Sequence, residues 1–370
     1  LVTPNQTLWV GTDYGLAKYT VNGDWTVYTT NDFLTDNKIK ALAMDAEETL
    51  WIGTFNGGLQ ALFLDGSVAT YTTSNSDLPD NFIRCINIDN DQNVYMGTPL
   101  GLTVFDTENW TNYSITSADI LLNNVSDIAL QNDDLAWLGT VNGGLIRYDR
   151  LINNFTDYTT FDSDIPDNTV LSIAIDDLGN KWLATVFHGV VRFDGTAFET
   201  YSTSTTAIAT NGTTLVKMHQ NNADVLIGTV NEGLIIAQPK DDVWQYLQMA
   251  NSEIPSNYIT ALAFQNYSVF WLGTKEGLVQ VQYGFAVGIN DITTTNINTS
   301  PNPTTGGVSF DGVTIQIPTK VEVFAVNGQL QLANTLTSNT LQLNSLPNGL
   351  YYVRLYHKKR TYTAKVVLAN

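Results

Sequence analysis

One short motif recurs seven times and limits what this chain can fold into. Trp9-Val10-Gly11-Thr12 returns as Trp51-Ile52-Gly53-Thr54, Tyr95-Met96-Gly97-Thr98, Trp137-Leu138-Gly139-Thr140, Trp182-Leu183-Ala184-Thr185, Leu226-Ile227-Gly228-Thr229 and Trp271-Leu272-Gly273-Thr274. The spacings are 42, 44, 42, 45, 44 and 45 residues. Each unit reads as four short strands. The first is an apolar stretch ending in a polar turn, as in Ile39 to Asp45 and Val170 to Asp176, and the second carries the motif. The third follows a Gly turn, as at Gly144-Leu145, and the fourth is aromatic and Thr-rich, as in Phe198-Glu199-Thr200-Tyr201. Turn residues separate the strands at hairpin spacing, and no segment sustains a helical period. A repeat of about 40–45 residues built this way is a four-stranded propeller blade. The expected fold is all-β, with a seven-bladed β-propeller over residues 1–288.

The first strand of each unit is expected innermost, because its positions are small: Ala43, Asn87, Ala129, Ala174 and Ala263 in one series, and Ala41, Cys85, Asp127, Ser172 and Ala261 in the other. The tryptophans are expected to fill the gaps between blades, and Cys85 to be an inert core thiol. With one cysteine, the chain has no internal disulfide framework and no Cys-rich zinc site. No apolar run approaches the ~18 residues of a spanning helix. Residues 1–290 hold 11 Lys/Arg against 33 Asp/Glu, and residues 291–370 hold 6 against 3. An acidic body with a mildly basic tail is a poor match for nucleic acid.

Val2 lies seven residues before Trp9, as Ile175 lies before Trp182, so the chain begins at the end of the inner strand of blade one. A leader removed or never included is one expectation from Leu1. Residues 289–299 are expected to be a linker or to supply the rest of that strand in cis, Ile292 to Ile297 being β-branched; otherwise it comes in trans from another molecule, giving oligomers or filaments. A separate module opens at Ser300-Pro301-Asn302-Pro303. Short alternating strands follow, with an Asn327-Gly328 turn, and on the residues alone residues 300–370 read as a small Ig-like β-sandwich.

The repeat resembles the two-component-regulator propeller family, whose units carry a W-x-G-T-x-x-G-G-L pattern. The tail resembles the C-terminal sorting domain of type IX secretion substrates, on Pro301, Asn302, Pro303, the Val323-Phe324 to Asn327-Gly328 hairpin, Leu346-Pro347-Asn348-Gly349-Leu350-Tyr351 and Lys365. That resemblance implies the type IX machinery as a partner, a Bacteroidetes-type Gram-negative source, and release outside the cell or attachment to its outer surface.

Catalytic motifs of the common hydrolase, zincin and P-loop types do not occur. His188, His219 and His357 fall in different units without ligand spacing. Asp177-Leu178-Gly179-Asn180-Lys181-Trp182 has the spacing of an Asp box in one blade and reads as an ordinary hairpin turn. Asp89 to Asn93 resembles the start of a calcium loop but lacks its Gly and distant Glu, so no cofactor is expected beyond calcium as a minor alternative. One end of the propeller gathers the blade-to-blade connections and the turns after the motif. Those turns carry Asp13, Tyr14, Phe55, Asn56, Phe187, His188, Asn231, Glu232, Lys275 and Glu276. The aromatic rings suit sugar faces and the Asx side chains suit hydroxyls; the competing reading is that the Leu/Ile-Pro connections only brace loops. The functional expectation is a non-catalytic extracellular or cell-surface module for adhesion, scaffolding or self-assembly. The alternatives are a docking protein recognising lipopolysaccharide or another glycan, and a polysaccharide lyase using Tyr14 and His188.

Overall fold

The computed structural model describes residues 1–114, 124–206, 208–219, 224–239, 243–282, 295–310, 315, 319–325, 329–357 and 360–369. They form two compact units, Leu1–Val281 and Gln282–Asn370. Among the described residues the first unit holds seven antiparallel sheets and no α-helix. Five sheets have four strands in chain order, as in Ile39–Met44, Leu50–Thr54, Leu59–Leu62 and Val68–Tyr71. The first (Leu8–Thr12, Gly15–Tyr19, Trp25–Tyr28) and the last (Ile259–Phe264, Val269–Thr274, Gly277–Gln282) have three described strands. This is the seven-bladed propeller that the repeat predicts.

The motif threonine clamps the turn that follows it. In all seven units its hydroxyl donates to the carbonyl of the glycine opening the third strand, from Thr12 to Gly15 (2.9 Å) through Thr140 to Gly144 (2.9 Å) to Thr274 and Gly277 (2.9 Å). In six units a turn N–H donates back to the same hydroxyl. Gly144 has φ +75°, and a Cβ there would run into the Tyr158 carbonyl of the fourth strand. That position therefore excludes side chains on both backbone and steric grounds.

The tryptophans lie between blades, as expected. Trp51 meets Phe105 of blade three (6.1 Å between centroids), Trp137 meets Phe193 of blade five (5.8 Å), and Trp271 of blade seven meets Tyr19 of blade one (5.7 Å). The last contact joins the final blade to the first. Lys217 breaks the small-residue series: it pairs with Leu226 where Ala263 pairs with Trp271.

Small size is not the only property used on the inner strands. Asn87 Nδ2 donates to the Ile128 carbonyl of the next blade (3.0 Å), Asp127 Oδ2 accepts from the Ile173 N–H (2.7 Å), and Ser172 Oγ donates to the Val216 carbonyl (3.4 Å). Asp127 Oδ1 also accepts from the Ile128 N–H (2.9 Å). These side chains give backbone groups of the neighbouring inner strand hydrogen-bond partners. Burial pushes the Cys85 thiol well up, with the Asp127 carboxylate adding to it, so the thiol stays protonated and unreactive.

At blade one, Val2 bridges to Leu8 and the Trp9 N–H donates to the Leu1 carbonyl (2.8 Å). The expected closing segment is corrected in part. Residues 289–294 lie outside the described residues. Thr295–Asn296 pairs in parallel with Tyr362 and Thr363 of the second unit, and the Ile297 N–H donates to the Thr363 carbonyl (3.0 Å). Ile297 packs against that unit's core, so burial there and the strand pairing hold these three residues in the tail.

The second unit is a sandwich. A five-stranded sheet runs Thr295–Asn296, Arg360–Leu368, Gly349–His357, Thr319–Ala325, Leu330–Leu336, and a three-stranded sheet runs Thr299–Ser300, Gly307–Phe310, Thr340–Gln342. Alternate residues, including Val308, Phe310, Val321, Val323, Leu341, Val353, Leu355 and Val366, form the core between them.

The turn geometry yields a contrast. Gly144→Ala should lower unfolding free energy by about 1–3 kcal/mol. Gly66→Ala, at φ +84° with open space around it, meets the left-handed backbone strain alone and should cost about 1 kcal/mol, less than Gly144→Ala. Equal losses in urea unfolding would mean that the Tyr158 carbonyl is not the obstacle.

Candidate functional site

The loop end is built by the connections between blades. Each of the five connections among the described residues turns inward on a buried aliphatic residue: Leu34, Leu78, Ile165, Ile208 or Ile254. Each then places an asparagine whose Oδ1 accepts a backbone N–H from the start of the same connection: Asn37 from Thr30, Asn81 from Thr73, Asn168 from Thr160, Asn211 from Thr203 and Asn257 from Met249, at 2.8–2.9 Å. Four of these asparagines also accept, at their carbonyls, the N–H of the turn glycine of the blade before: Gly58, Gly144, Gly189 and Gly233. The connections therefore do brace the loops, and they fix where the turn residues stand.

The ten turn residues separate into groups. Asp13 pairs with Lys40 (2.8 Å), whose hydrogen bond and charge hold the carboxyl below its usual range. The Lys40 ammonium also lies 5.9 Å from the Phe55 ring and that of Lys38 5.3 Å from it. Phe55 contacts Phe82 (4.7 Å), and the Arg84 guanidinium lies 4.6 Å from the Phe82 ring. The fold thus brings Asp13 and Phe55 into one cluster across blades one to three. The Asn56 N–H donates to Asp36 (2.8 Å).

In blade five the Asp167 carboxylate accepts from the Phe187 N–H (3.0 Å), the Thr169 N–H (2.9 Å) and His188 Nδ1 (3.1 Å). Glu232 accepts from Gln248 (2.7 Å), and the Lys275 N–H donates to the Tyr258 carbonyl (3.0 Å). Asn231, Lys275 and Glu276 are exposed. No contact among the described residues joins Tyr14 to His188, the pair the lyase reading requires.

Two aromatic side chains of the predicted set point to solvent: Tyr14 is 86% exposed and Phe187 70%. Sequence reasoning missed a third, Phe161, at 97%, with Leu100 and Met249 also exposed at this end. Phe161 follows Thr159-Thr160 in a connection whose apolar anchor is Ile165. A Phe there reads as a second anchor until the fold shows that nothing covers it.

His219 is buried, donating from Nε2 to the Tyr267 carbonyl (2.9 Å), and the His357 side chain lies outside the described residues. At the Asp-box spacing it is Asp176 that accepts from Leu178, Asn180 and the Trp182 indole (3.2 Å), an ordinary hairpin arrangement. At the calcium-like stretch, the Asp89 oxygens accept from Asp91, Asn93 and Arg150. Among the described residues no three His, Cys, Asp or Glu side chains are placed to hold a metal ion, and no helix is long and apolar enough to cross a membrane.

In the tail the opening motif ties the first residues to the last strand. Asn302 Nδ2 donates to the Lys365 carbonyl (2.6 Å) and Asn302 Oδ1 accepts from the Val367 N–H (2.9 Å), between exposed Pro301 and Pro303. Tyr351 is buried and donates to the Pro347 carbonyl (2.7 Å). Gly349 opens the strand carrying Tyr351, and Lys365 is exposed. Asn327 and Gly328 lie outside the described residues.

Two substitutions test which parts of the loop end are structural. Asp167→Ala removes a buried acceptor shared by the Thr169, Phe187 and His188 donors and should cost about 1–3 kcal/mol in urea unfolding. Asp13→Ala, which breaks an exposed pair, should cost less than about 1 kcal/mol. The reverse order would place the brace at blade one instead. In the tail, Asn302→Ala should speed hydrogen exchange at Val367 about tenfold; unchanged exchange would mean that the opening motif does not hold the last strand.

Comparison with known families and structures agrees with this architecture. Residues 298–369 match the secretion system C-terminal sorting domain, and residues 34–56 match the two component regulator propeller. A comparison with curated proteins finds no match. Among solved structures, the extracellular domain of BT3049 from B. thetaiotaomicron, assigned to a hybrid two component system, aligns with 98% of this chain and 54% of its own (TM-score 0.65, 16% identity). The extracellular domain of BT4673 from the same organism, assigned to a one component system, aligns with 100% and 56% (0.64, 16%). PorZ, an essential bacterial surface component of the type-IX secretion system of Porphyromonas gingivalis, aligns with 99% and 57% (0.60, 16%). The chain thus spans little more than half the length of each. The matches to a two component regulator propeller repeat and to a secretion system C-terminal sorting domain, with extracellular propeller domains among the similar structures, indicate secretion to the cell surface or the extracellular space.

Proposed function

We propose that this chain is an exported, non-catalytic adhesion module that binds carbohydrate at the loop end of its propeller. One observation carries the reading: Tyr14, Phe161 and Phe187 are left in solvent at that end, while the Asn and Asp side chains around them are committed to bracing backbone. Large exposed rings contribute nothing to packing, so they are available to stack on a sugar. The braced loops hold them in place beforehand, which lowers the ordering cost of binding. The tail supplies export, and attachment or release sets whether adhesion is to the producing cell or to a distant surface.

A competing reading, a surface component serving the secretion system, has the likeness to PorZ behind it. At 16% identity that likeness speaks for the fold alone.

Glycan-array binding tests the proposal. The Tyr14→Ala/Phe187→Ala double variant should lose at least about tenfold in binding while its stability moves by no more than about 0.5 kcal/mol per exposed site. Binding that survives intact, or none in the native protein, would remove the loop end as a glycan site.

A further inference from the structure

Blade three departs from the repeat at the motif tryptophan, and a cleft lies beside the departure. In blades two, four, five and seven the indole N–H donates to an Asp or Gln six residues earlier: Trp51 to Asp45 (2.9 Å), Trp137 to Gln131 (2.7 Å), Trp182 to Asp176 (3.2 Å) and Trp271 to Gln265 (3.1 Å). In blade three the residue is Tyr95, and no indole reaches Asp89. Arg150 arrives from the neighbouring blade instead. Its Nη1 donates to Asp89 (2.7 Å) and to the Tyr95 hydroxyl (2.6 Å), its Nη2 donates to the Asp133 carbonyl, and its guanidinium lies 5.3 Å from the Tyr95 ring.

Beside this pair lies a cleft of about 240 Å³, framed by Tyr95, Tyr113 and Tyr148 and rimmed by Asn109 and Thr111. Its walls are held from behind. Tyr148 stacks on Phe155 (4.3 Å, 7° between planes) and hydrogen-bonds the Tyr113 hydroxyl (3.0 Å). At the rim, the Asp106 carboxylate accepts from the Glu108 (3.0 Å) and Asn109 (2.6 Å) N–H groups. Burial pushes the Tyr95 phenol up to about 12 and raises that of Tyr148 further, so both stay protonated. The cleft lies at the end opposite the loop end, because its lining comes from the first–second and third–fourth turns of blade three and the third–fourth turn of blade four.

We propose that this cleft is a second binding site, taking one neutral sugar residue of a glycan. The Arg150 charge is already neutralised by Asp89, and Asp106 adds negative charge at the rim, so an anionic ligand gains little here. The half-buried Tyr113 ring offers an apolar surface beside the buried Tyr95 and Tyr148, and the rim offers amide, hydroxyl and carboxylate groups. A volume below the roughly 300 Å³ of ordinary small-molecule pockets suits one ring rather than an oligosaccharide.

Saturation-transfer NMR with the methyl glycosides of glucose, galactose, mannose and N-acetylglucosamine, and with methyl glucuronide, tests the site at the affinity of about millimolar expected for a ligand this small. At least one neutral glycoside should show transfer in the native chain and in the Tyr14→Ala/Phe187→Ala variant. Added to the Tyr14→Ala/Phe187→Ala variant, Thr111→Trp, which fills the cleft from an exposed strand position, should abolish the remaining transfer, and Asn109→Ala should weaken it at least fivefold. An unchanged thermal midpoint checks folding of each variant. No transfer from any neutral glycoside, transfer that ignores Thr111→Trp, or preference for the glucuronide would overturn the assignment. Transfer lost only in the Tyr14→Ala/Phe187→Ala variant would assign it to the loop end and leave that reading standing.

Discussion

The close approach of each blade to the next at the motif glycine is the contact on which the propeller depends. A Cβ on Gly11 would collide with Ile39, on Gly53 with Ile83, on Gly97 with Val125 and on Gly139 with Val170, all on or beside the first strand of the following blade. A single blade cannot bury its own faces, so stability comes from stacking neighbours. Hydrogen at this position lets the inner strands come close enough for Asn87, Asp127 and Ser172 to reach across to their backbone. Blade five carries Ala184 at the same place, and there the facing residue of blade six is Thr213, whose hydroxyl donates to the Thr185 carbonyl (2.7 Å).

Once the blades are held this way, the two ends of the propeller are free to differ. At one end the connections spend their polar side chains on each other, and large rings are left outside. At the other, hairpin turns close each blade locally, and blade three exchanges an indole for a phenol and an arginine from its neighbour. The repeat makes the second exchange possible, because Asp89 stands where Asp45 and Asp176 stand, with its indole partner missing.

Most of the fold is legible in the sequence because the period is rigidly kept. Motif spacing gives the blade count, turn glycines give the strand order, and the motif tryptophans give the interblade packing. The candidate loop end is half legible. Its turns can be located by counting from the motif threonine, yet Phe161 reads as a buried anchor, since only packing distinguishes it from Ile165. The cleft is less legible still. Arg150 lies 61 residues from Asp89, and no local pattern links a missing indole to a cation one blade away.

The sequence by itself determined the class of fold, the number of blades and the sorting module, because each rests on local chemistry repeated in register: a glycine where no side chain fits, a threonine that closes a turn, an asparagine that ties a strand. Tertiary structure decided which side chains those constraints leave over. Exposure of Tyr14 and Phe161, the pairing of Arg150 with Asp89, and the capture of Ile297 by the tail sheet all depend on groups distant in the chain competing for the same space and the same hydrogen bonds.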